Sequence, residues 1–271
     1  MVIEIGKLYA GYGLDPNGYI VSDVGKDKIN DVYMSCIRES IKRLKKIFPQ
    51  QLHSVYVYGS VARGEAIMKK SDLDLIAMFY TKLSPVMLAE LKKLTKKLSE
   101  KYHDLVRDVG IASAYYDYTI DPENYYENAF LKELCVCMYG EDIGKRFGPY
   151  KLTSDIAISF NGDINDVLNR TLKRLETPSK GDFFEIITQN FSRKLIRTYY
   201  SMVMGRSQIW TTRIHEQSEV FLRYFPEKES IIHTLLKWID EPPADREIVY
   251  ELFQNEGEWA RDNFLNEAKI R

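Results

Sequence analysis

The sequence lacks the features of exported, membrane-embedded and zinc-stabilised proteins. No apolar run reaches the roughly 20 residues that a membrane-spanning helix needs, and the segment MVIEIGKLYAGYG has no basic stretch followed by an apolar one. The three cysteines, Cys36, Cys135 and Cys137, show neither the Cys-x-x-Cys nor the Cys/His spacing of zinc sites. We therefore expect a cytoplasmic protein with no membrane contact, no disulfide framework and no structural zinc.

An excess of charge of one sign is also missing. Lys and Arg total 38 against 39 Asp and Glu, so no global field attracts a polyanion. Nucleic acid is therefore not the expected partner, and a small molecule is favoured. The segment Lys42-Arg43-Lys45-Lys46 is a local exception that could serve tRNA, although such a patch on an amphipathic helix is more often a solvated face.

The chain does contain enough apolar residues for two domains, with 45% of its 271 residues hydrophobic. Its first half alternates strand-like and helical patterns, whereas the second half has long helical patterns over 183–204 and 214–238. We predict an α/β domain with a small mixed sheet over residues 1–148, including an N-terminal arm over 1–25. An all-helical C-terminal domain is predicted over 149–271.

The elements of the first domain follow from apolar spacing, turn residues and caps. Pro49 ends the first helical pattern, and Ser84 is a candidate N-cap. The predicted order is a helix over 29–47, a strand over 55–58, a Gly-Ser turn, a short helix over 62–68, a strand over 73–79, a helix over 85–101 and a strand over 105–115.

The segment that carries chemistry is YGSVARG, followed after six residues by SDLDL. Asp72 and Asp74 are two residues apart on a predicted strand, so their side chains point to the same face. Two such carboxylates repel each other unless a cation lies between them. Mg²⁺ prefers oxygen ligands and typically takes one or two carboxylates together with water and substrate phosphate. Gly59 lets the backbone approach a phosphate, and Ser60 offers a hydroxyl and an N–H.

This combination resembles the Gly-Ser turn plus Asp-x-Asp signature of the DNA polymerase β-like nucleotidyltransferase superfamily. An isolated Asp-x-Asp would indicate an ordinary edge strand, but the preceding strand, the turn, the gap and Ser71 favour the catalytic interpretation. The resemblance implies two Mg²⁺ ions and ATP as the nucleotide donor. It assigns nucleotide-binding roles to Gly59, Ser60 and Ser71, and leaves Arg63 as either a phosphate ligand or a surface cation.

In-line attack on a phosphorus atom also needs a group that takes the proton of the attacking hydroxyl. In the resembling superfamily a third carboxylate on a later strand has this role, and Asp108 is the best-placed candidate here. We predict that Asp108 is the base and shares the metal site with Asp72 and Asp74. The alternative is a capping or surface carboxylate paired with Arg107, with Asp104 and Asp117 as weaker candidates for the base.

The second half resembles one branch of that superfamily, the aminoglycoside adenylyltransferases that modify streptomycin and spectinomycin. The resemblance rests on Asn190, Arg197 seven residues later, the sequence Tyr-Tyr-Ser that follows, and Gly205. In that family the arginine holds nucleotide phosphates, so Arg197 is expected to bind nucleotide; a helix-surface cation is the alternative. The family has a Lys a few residues after the glycine, whereas this chain has Trp210 at the matching position, and Arg206 is the candidate to supply the charge instead.

Together these observations predict a Mg²⁺-dependent enzyme that transfers a nucleoside monophosphate, most simply AMP from ATP, to a hydroxyl of a small acceptor. The family resemblance suggests an aminoglycoside as that acceptor and antibiotic resistance as the role. Two alternatives stay open. One is nucleotidylation of tRNA or of a protein, and the other is a member that binds nucleotide or a partner without catalysis.

Overall fold

The computed structural model describes residues 8–177 and 181–270, with the backbone alone for 181–183. These residues divide into two compact units. One consists of residues 21–149, and the other joins the residues up to Ile20 with those from Tyr150 onward. Within the described ranges, no helix has the length and apolar character that crossing a membrane requires.

The first unit is built on a mixed sheet with strand order β3-β2-β1-β4. Strand β1 pairs antiparallel with both β2 and β4, whereas β2 and β3 run parallel. This unit contains α1 (Asp31–Ile47), β1 (Leu52–Tyr58), α2 (Gly59–Arg63), β2 (Leu73–Phe79), α3 (Pro85–Lys101), β3 (Val109–Tyr115), α4 (Tyr116–Ile120), α5 (Asn128–Leu134) and β4 (Cys135–Tyr139).

Alternation along β2 decides which face of the sheet is apolar. Leu73, Leu75 and Ala77 are fully buried against α1 and α3. Asp74 points to the opposite face, on which a second, smaller cluster forms around Tyr56. Because side chains alternate along a strand, one short sequence supplies both the core and the polar end of the sheet.

The helical unit is assembled around α8, which packs against α6, α7, α9, α10 and α11. Phe191 and Phe253 meet edge to face, with ring centroids 4.7 Å apart, and Tyr199 stacks on Phe221 at the same distance. The helices are α6 (Ser154–Asn161), α7 (Ile164–Glu176), α8 (Gly181–Ser207), α9 (Ile214–Leu222), α10 (Glu229–Asp240) and α11 (Arg246–Ala268). The predicted sequence of a mixed-sheet α/β unit followed by a helical one is confirmed.

Several element boundaries differ from the prediction. Helix α2 begins at Gly59, directly after β1, and Gly64 ends it in the left-handed conformation. Strand β3 begins at Val109 and not at residue 105, because residues 102–105 form turns. The predicted helix over 214–238 is interrupted between α9 and α10, where Pro226 begins a 3₁₀ turn.

The N-terminal arm also differs, since residues 8–20 belong to the helical unit. The Gly11 N–H donates to the Gln208 carbonyl at 2.7 Å, and the Trp210 N–H donates to the Tyr12 carbonyl at 2.8 Å. The turn signal in this segment is confirmed, because Asp15 Oδ1 accepts from the Asn17 N–H at 2.8 Å. Turn chemistry is local and therefore readable from sequence, whereas the docking partner is more than 190 residues away.

Candidate active site

Asp74 lies at one end of the sheet in a row that crosses all the strands. It is the register partner of Tyr58 on β1 and of Gly110 on β3, and Tyr58 is in turn the partner of Cys135 on β4. Directly paired residues present their side chains on the same face. The Asp74 carboxylate is therefore the acidic group in a row whose other positions are apolar, aromatic or glycine.

Two glycine backbones leave room for that carboxylate. A Cβ atom added to Gly59, whose φ is +74°, would lie 2.9 Å from Asp74 Oδ2, and one added to Gly110 would lie 3.2 Å from Oδ1. The predicted proximity of the Gly-Ser turn to the Asp-x-Asp pair is thus present in the structure. Gly110 also means that the β3 residue directly opposite Asp74 offers no side chain of its own.

Asp72 precedes β2 and is held by an arginine that the motif did not predict as a site residue. Arg107 Nε lies 2.9 Å from Asp72 Oδ1, and Arg107 Nη2 lies 2.5 Å from Oδ2. The hydrogen bond to Asp72 raises the pKa of Arg107 against the effect of burial, and the negative charges of Asp108 and Asp74 act in the same direction. The guanidinium therefore lies within the field of three carboxylates.

Asp108 directly precedes β3 and lies beside Asp72, which directly precedes the neighbouring strand β2. Its carboxylate, however, is turned toward α3. Its Oδ1 accepts a hydrogen bond from the Ser99 hydroxyl and another from the Val109 N–H at 2.9 Å. Among the described residues, no three carboxylate, His or Cys side chains converge as a ready-made metal cluster. The structure brings Asp72, Asp74 and Asp108 to one end of the sheet without converging their oxygens.

The remaining predicted nucleotide-binding residues of this unit surround the same turn. Ser60 belongs to α2, and its carbonyl accepts from the N–H groups of Gly64 and Glu65. Arg63 Nε lies 2.9 Å from Glu65 Oε2, so its charge is paired within the turn. The Ser71 hydroxyl accepts from the Ile67 N–H at 2.9 Å and shapes the loop that leads into Asp72.

Arg197 is exposed on α8 in the helical unit. Its neighbour Lys194 donates to Asn161 Oδ1 at 2.9 Å and to Asp163 Oδ1 at 2.5 Å. Burial lowers the pKa of Lys194, and the positive charges of Arg197 and Arg170 lower it further. Arg197 thus belongs to a cationic group on the helical unit. Arg206, in contrast, is paired with Glu267 at 2.9 Å and lies over the Tyr224 ring.

Sequence reasoning missed two groups, Arg107 as a site residue and Glu133 on α5. Glu133 is 4% exposed, and burial raises the pKa of its carboxyl from 4.5 to about 7. It lies two residues before Cys135, at the same end of the sheet as Asp74. Arg107 had only its adjacency to Asp108 as a signal, and the strand register decides that it reaches Asp72 instead.

A cavity of about 630 Å³ lies at the other end of the sheet. Asp74 is near the start of β2 and Tyr80 follows its end, so six residues of extended chain, roughly 20 Å, separate the two. The cavity is therefore distinct from the aspartate end. Its lining comprises Tyr80, Thr81, Lys82, Ser113, Ala114, Tyr115, Asp117 and Tyr118.

Comparisons with known proteins agree with this geometry. Residues 37–130 match the model of the nucleotidyltransferase domain family, a range that contains the turn, the aspartates and Arg107. No curated protein sequence matches the chain. Among solved structures, the fold is similar to spectinomycin adenyltransferase AAD(9) from Enterococcus faecialis, crystallised with ATP and spectinomycin. The TM-score is 0.51 at 14% identity, over 83% of this chain and 99% of that chain.

The family match places the Gly-Ser turn and the Asp-x-Asp pair inside a nucleotidyltransferase domain, and the structural match extends across both units. The sequence-based resemblance is thereby confirmed. This chain contains a nucleotidyltransferase domain, and its fold is similar to that of a spectinomycin adenyltransferase.

Proposed function

We propose that this nucleotidyltransferase transfers AMP from ATP to a hydroxyl group of a small acceptor in a reaction that requires Mg²⁺. The observation that carries the proposal is the position of the Asp74 carboxylate, within van der Waals reach of the Gly59 turn and level with the end of β3. A carboxylate beside a tight glycine turn combines a cation ligand with a place where phosphate can approach the backbone.

Asp72 and Asp74 would hold the metal. The donor set is all oxygen, as Mg²⁺ requires, and Mg²⁺ commonly takes one or two protein carboxylates with the rest of its shell from water and phosphate. The guanidinium already drawn to Asp72 supports the idea that this end of the sheet attracts a cation. When bound, the ion would neutralise charge on the attacking and leaving oxygens of the phosphoryl group.

The protein groups would divide the remaining tasks. Gly59 and Ser60 would bind the triphosphate through backbone N–H groups and the Ser60 hydroxyl. Ser71 would hold the loop that leads into Asp72. Arg63, next to the Gly-Ser turn, and Arg197 would be further phosphate ligands. Asp108 would turn from Ser99 and accept the proton of the acceptor hydroxyl. That oxygen would then form a bond to the α-phosphorus of ATP as pyrophosphate leaves.

The class of acceptor follows from charge and fold. A net charge of −1 gives no general attraction for nucleic acid. The local basic segment of α1 is partly engaged, since Arg43 pairs with Glu39 at 2.7 Å and Lys45 lies 4.7 Å from the Tyr139 ring centroid. A small polyol or aminoglycoside is the proposed acceptor, consistent with the spectinomycin bound by the structural neighbour. Such a substrate would give the enzyme a role in antibiotic resistance.

The test is pyrophosphate release from each NTP with Mg²⁺ and a panel of aminoglycosides, other polyols and tRNA. Asp72→Asn and Asp74→Asn are expected to lose about 10³-fold in rate, because metal stabilisation of the transition state is worth several kcal/mol. Asp108→Asn should lose at least about 10²-fold if Asp108 is the base. Asp104→Asn, which changes an exposed aspartate paired with Lys69, is the matched control.

The outcomes separate the alternatives. Release that depends on one small acceptor and disappears in Asp74→Asn supports the proposal and identifies the substrate. Release with tRNA alone would favour a macromolecular acceptor. An Asp108→Asn enzyme with full activity would refute the base assignment, and nucleotide binding without release from any acceptor would indicate a protein that only binds.

A further inference from the structure

Arg107 and Asp72 form a two-pronged ion pair whose position is set by the backbone. The Arg107 N–H donates to the Ser71 carbonyl at 3.0 Å, and the Leu73 N–H donates to the Asp108 carbonyl at 2.9 Å. These bonds continue the pairing of β2 and β3 beyond the strands themselves. The two side chains are therefore held next to each other by the sheet, and their contact does not depend on a long flexible reach.

The guanidinium uses both oxygens of Asp72. Nε meets Oδ1 and Nη2 meets Oδ2, the parallel arrangement in which an arginine binds a carboxylate most strongly. The side chains are 35% and 28% exposed, so small ions have access to the pair. A divalent ion that binds Asp72 would meet a positive charge already on the same two oxygens, and like charges at this separation repel each other.

We propose that the Arg107 guanidinium neutralises Asp72 while the metal site is empty and competes with the divalent ion for this carboxylate. This inference rests on the proposed function. The bare metal binds weakly because it must displace the guanidinium. A metal·nucleotide complex binds better because its triphosphate offers the displaced guanidinium a new anionic partner, and arginine suits phosphate as well as carboxylate. Metal and nucleotide thus bind cooperatively, each raising the affinity for the other.

A purely structural ion pair makes a different prediction. Loss of Arg107 would then change the stability of the fold and leave the affinity for metal unaltered. Competition instead predicts that removing the guanidinium strengthens the binding of metal in the absence of nucleotide. The direction of the change in metal affinity therefore distinguishes the two roles, and it does so without any measurement of activity.

The experiment measures Mn²⁺ binding to the full chain by the loss of the free Mn²⁺ signal in electron paramagnetic resonance. Titrations are made with and without the non-transferable analogue α,β-methylene-ATP. We expect Arg107→Met to bind Mn²⁺ alone about tenfold more tightly than the natural protein, within the usual range of coupling between sites. Arg107→Lys, which cannot form the fork, should be intermediate. The cooperativity between Mn²⁺ and the analogue should be largest in the natural protein, smaller in Arg107→Lys and smallest in Arg107→Met.

Arg43→Met is the matched control, because it removes an equal charge from an ion pair on α1, in the helix layer on the opposite face of the sheet. Its Mn²⁺ affinity should equal that of the natural protein. Asp72→Asn tests the underlying site. If Asp72→Asn binds Mn²⁺ as well as the natural protein does, the metal assignment of the proposed function is wrong, and this inference with it. If binding depends on Asp72 but Arg107→Met binds no more tightly, the competition alone is refuted.

A measurement on the natural protein covers the case in which Arg107→Met does not fold. The Arg107 Nε–H resonance is identified in a ¹⁵N spectrum by its absence from Arg107→Lys. Mg²⁺ together with the analogue should shift this resonance strongly, whereas the analogue without metal should shift it much less. A resonance that stays in place when the metal·nucleotide complex binds would contradict the displacement of Arg107.

Discussion

At the scale of single residues, the site depends on how little space surrounds Asp74. Its carboxylate lies between the backbones of Gly59 and Gly110, and any side chain at either position would meet one of its oxygens. Glycine at position 59 serves the turn as well, because a φ of +74° is costly for residues with a Cβ. One residue type therefore satisfies both the backbone conformation and the contact with the acid.

Gly59→Ala tests these two demands against each other. The substitution should lower the free energy of unfolding by about 1–2 kcal/mol through the left-handed backbone, and it should also reduce nucleotidyl transfer by displacing Asp74. Gly18→Ala is the control, since Gly18 has a φ of +80° with open space around it. It should show the same loss in urea unfolding with unchanged activity. Equal activity of the two variants would mean that the Asp74 contact is dispensable.

At the scale of elements, α5 and β4 place a buried acid where the sequence suggested nothing unusual. Glu133 is almost fully buried on α5, near Leu131 of the smaller core cluster. Burial disfavours the charged carboxylate and raises its pKa to about 7. At a pH between 4.5 and about 7, the Glu133 carboxyl is therefore protonated in the native protein but ionised in the unfolded chain, where its pKa is near 4.5.

This difference predicts how stability depends on pH. Between about pH 4.5 and pH 7 the native state binds more protons than the unfolded state, so the free energy of unfolding falls as pH rises, by up to about 3 kcal/mol from this group. Glu133→Gln removes the titration. Its unfolding free energy relative to the natural protein should increase from pH 5 to pH 8 in urea titrations. A constant difference for Glu133→Gln would refute the assignment.

The elements also show which features of the fold are encoded locally. The N-cap of α3 was predictable, because Ser84 accepts a hydrogen bond from the Met87 N–H, whereas the cap of α1 at Asn30 lies inside the range predicted as helix. The start of α2 at Gly59 was not predictable, since five helical residues between two strands carry too little apolar pattern. Strand order was not predictable either, because pairing between β1 and β4 joins residues about 80 positions apart.

At the scale of the whole molecule, the site shows the same division between local and distant information. The motif predicted that Gly59 and Asp74 lie together, and they do. It gave no sign that Arg107 takes Asp72 while the Asp108 carboxylate turns to Ser99, because strand register and the position of α3 decide both contacts. The catalytic roles of these residues stay predictions until the variants are assayed.

The path of the chain likewise joins its beginning to its second half. Residues 8–20 are bound to the helical unit by backbone hydrogen bonds, including one from the Ile20 N–H to the Tyr150 carbonyl at 2.8 Å. At Gly13 the arm packs directly against the backbone of that unit, because a Cβ there would lie 2.2 Å from the carbonyl oxygen of Trp210. Backbone atoms cannot rotate away as a side chain does, so this contact admits only glycine.

Two substitutions in the arm separate docking from backbone strain. Gly11 and Gly13 both have positive φ, but a Cβ at Gly11 would meet nothing within 4 Å. Gly11→Ala should therefore cost only the left-handed strain, about 1–2 kcal/mol, whereas Gly13→Ala should cost at least about 1–3 kcal/mol more through overpacking. Hydrogen exchange shows which part of the protein is destabilised. In Gly13→Ala the amides of Gly11 and Trp210 should lose protection, while the β1 amides keep theirs. Equal destabilisation by both variants would show that the arm tolerates displacement from Trp210, and its place in the helical unit would then contribute little to stability.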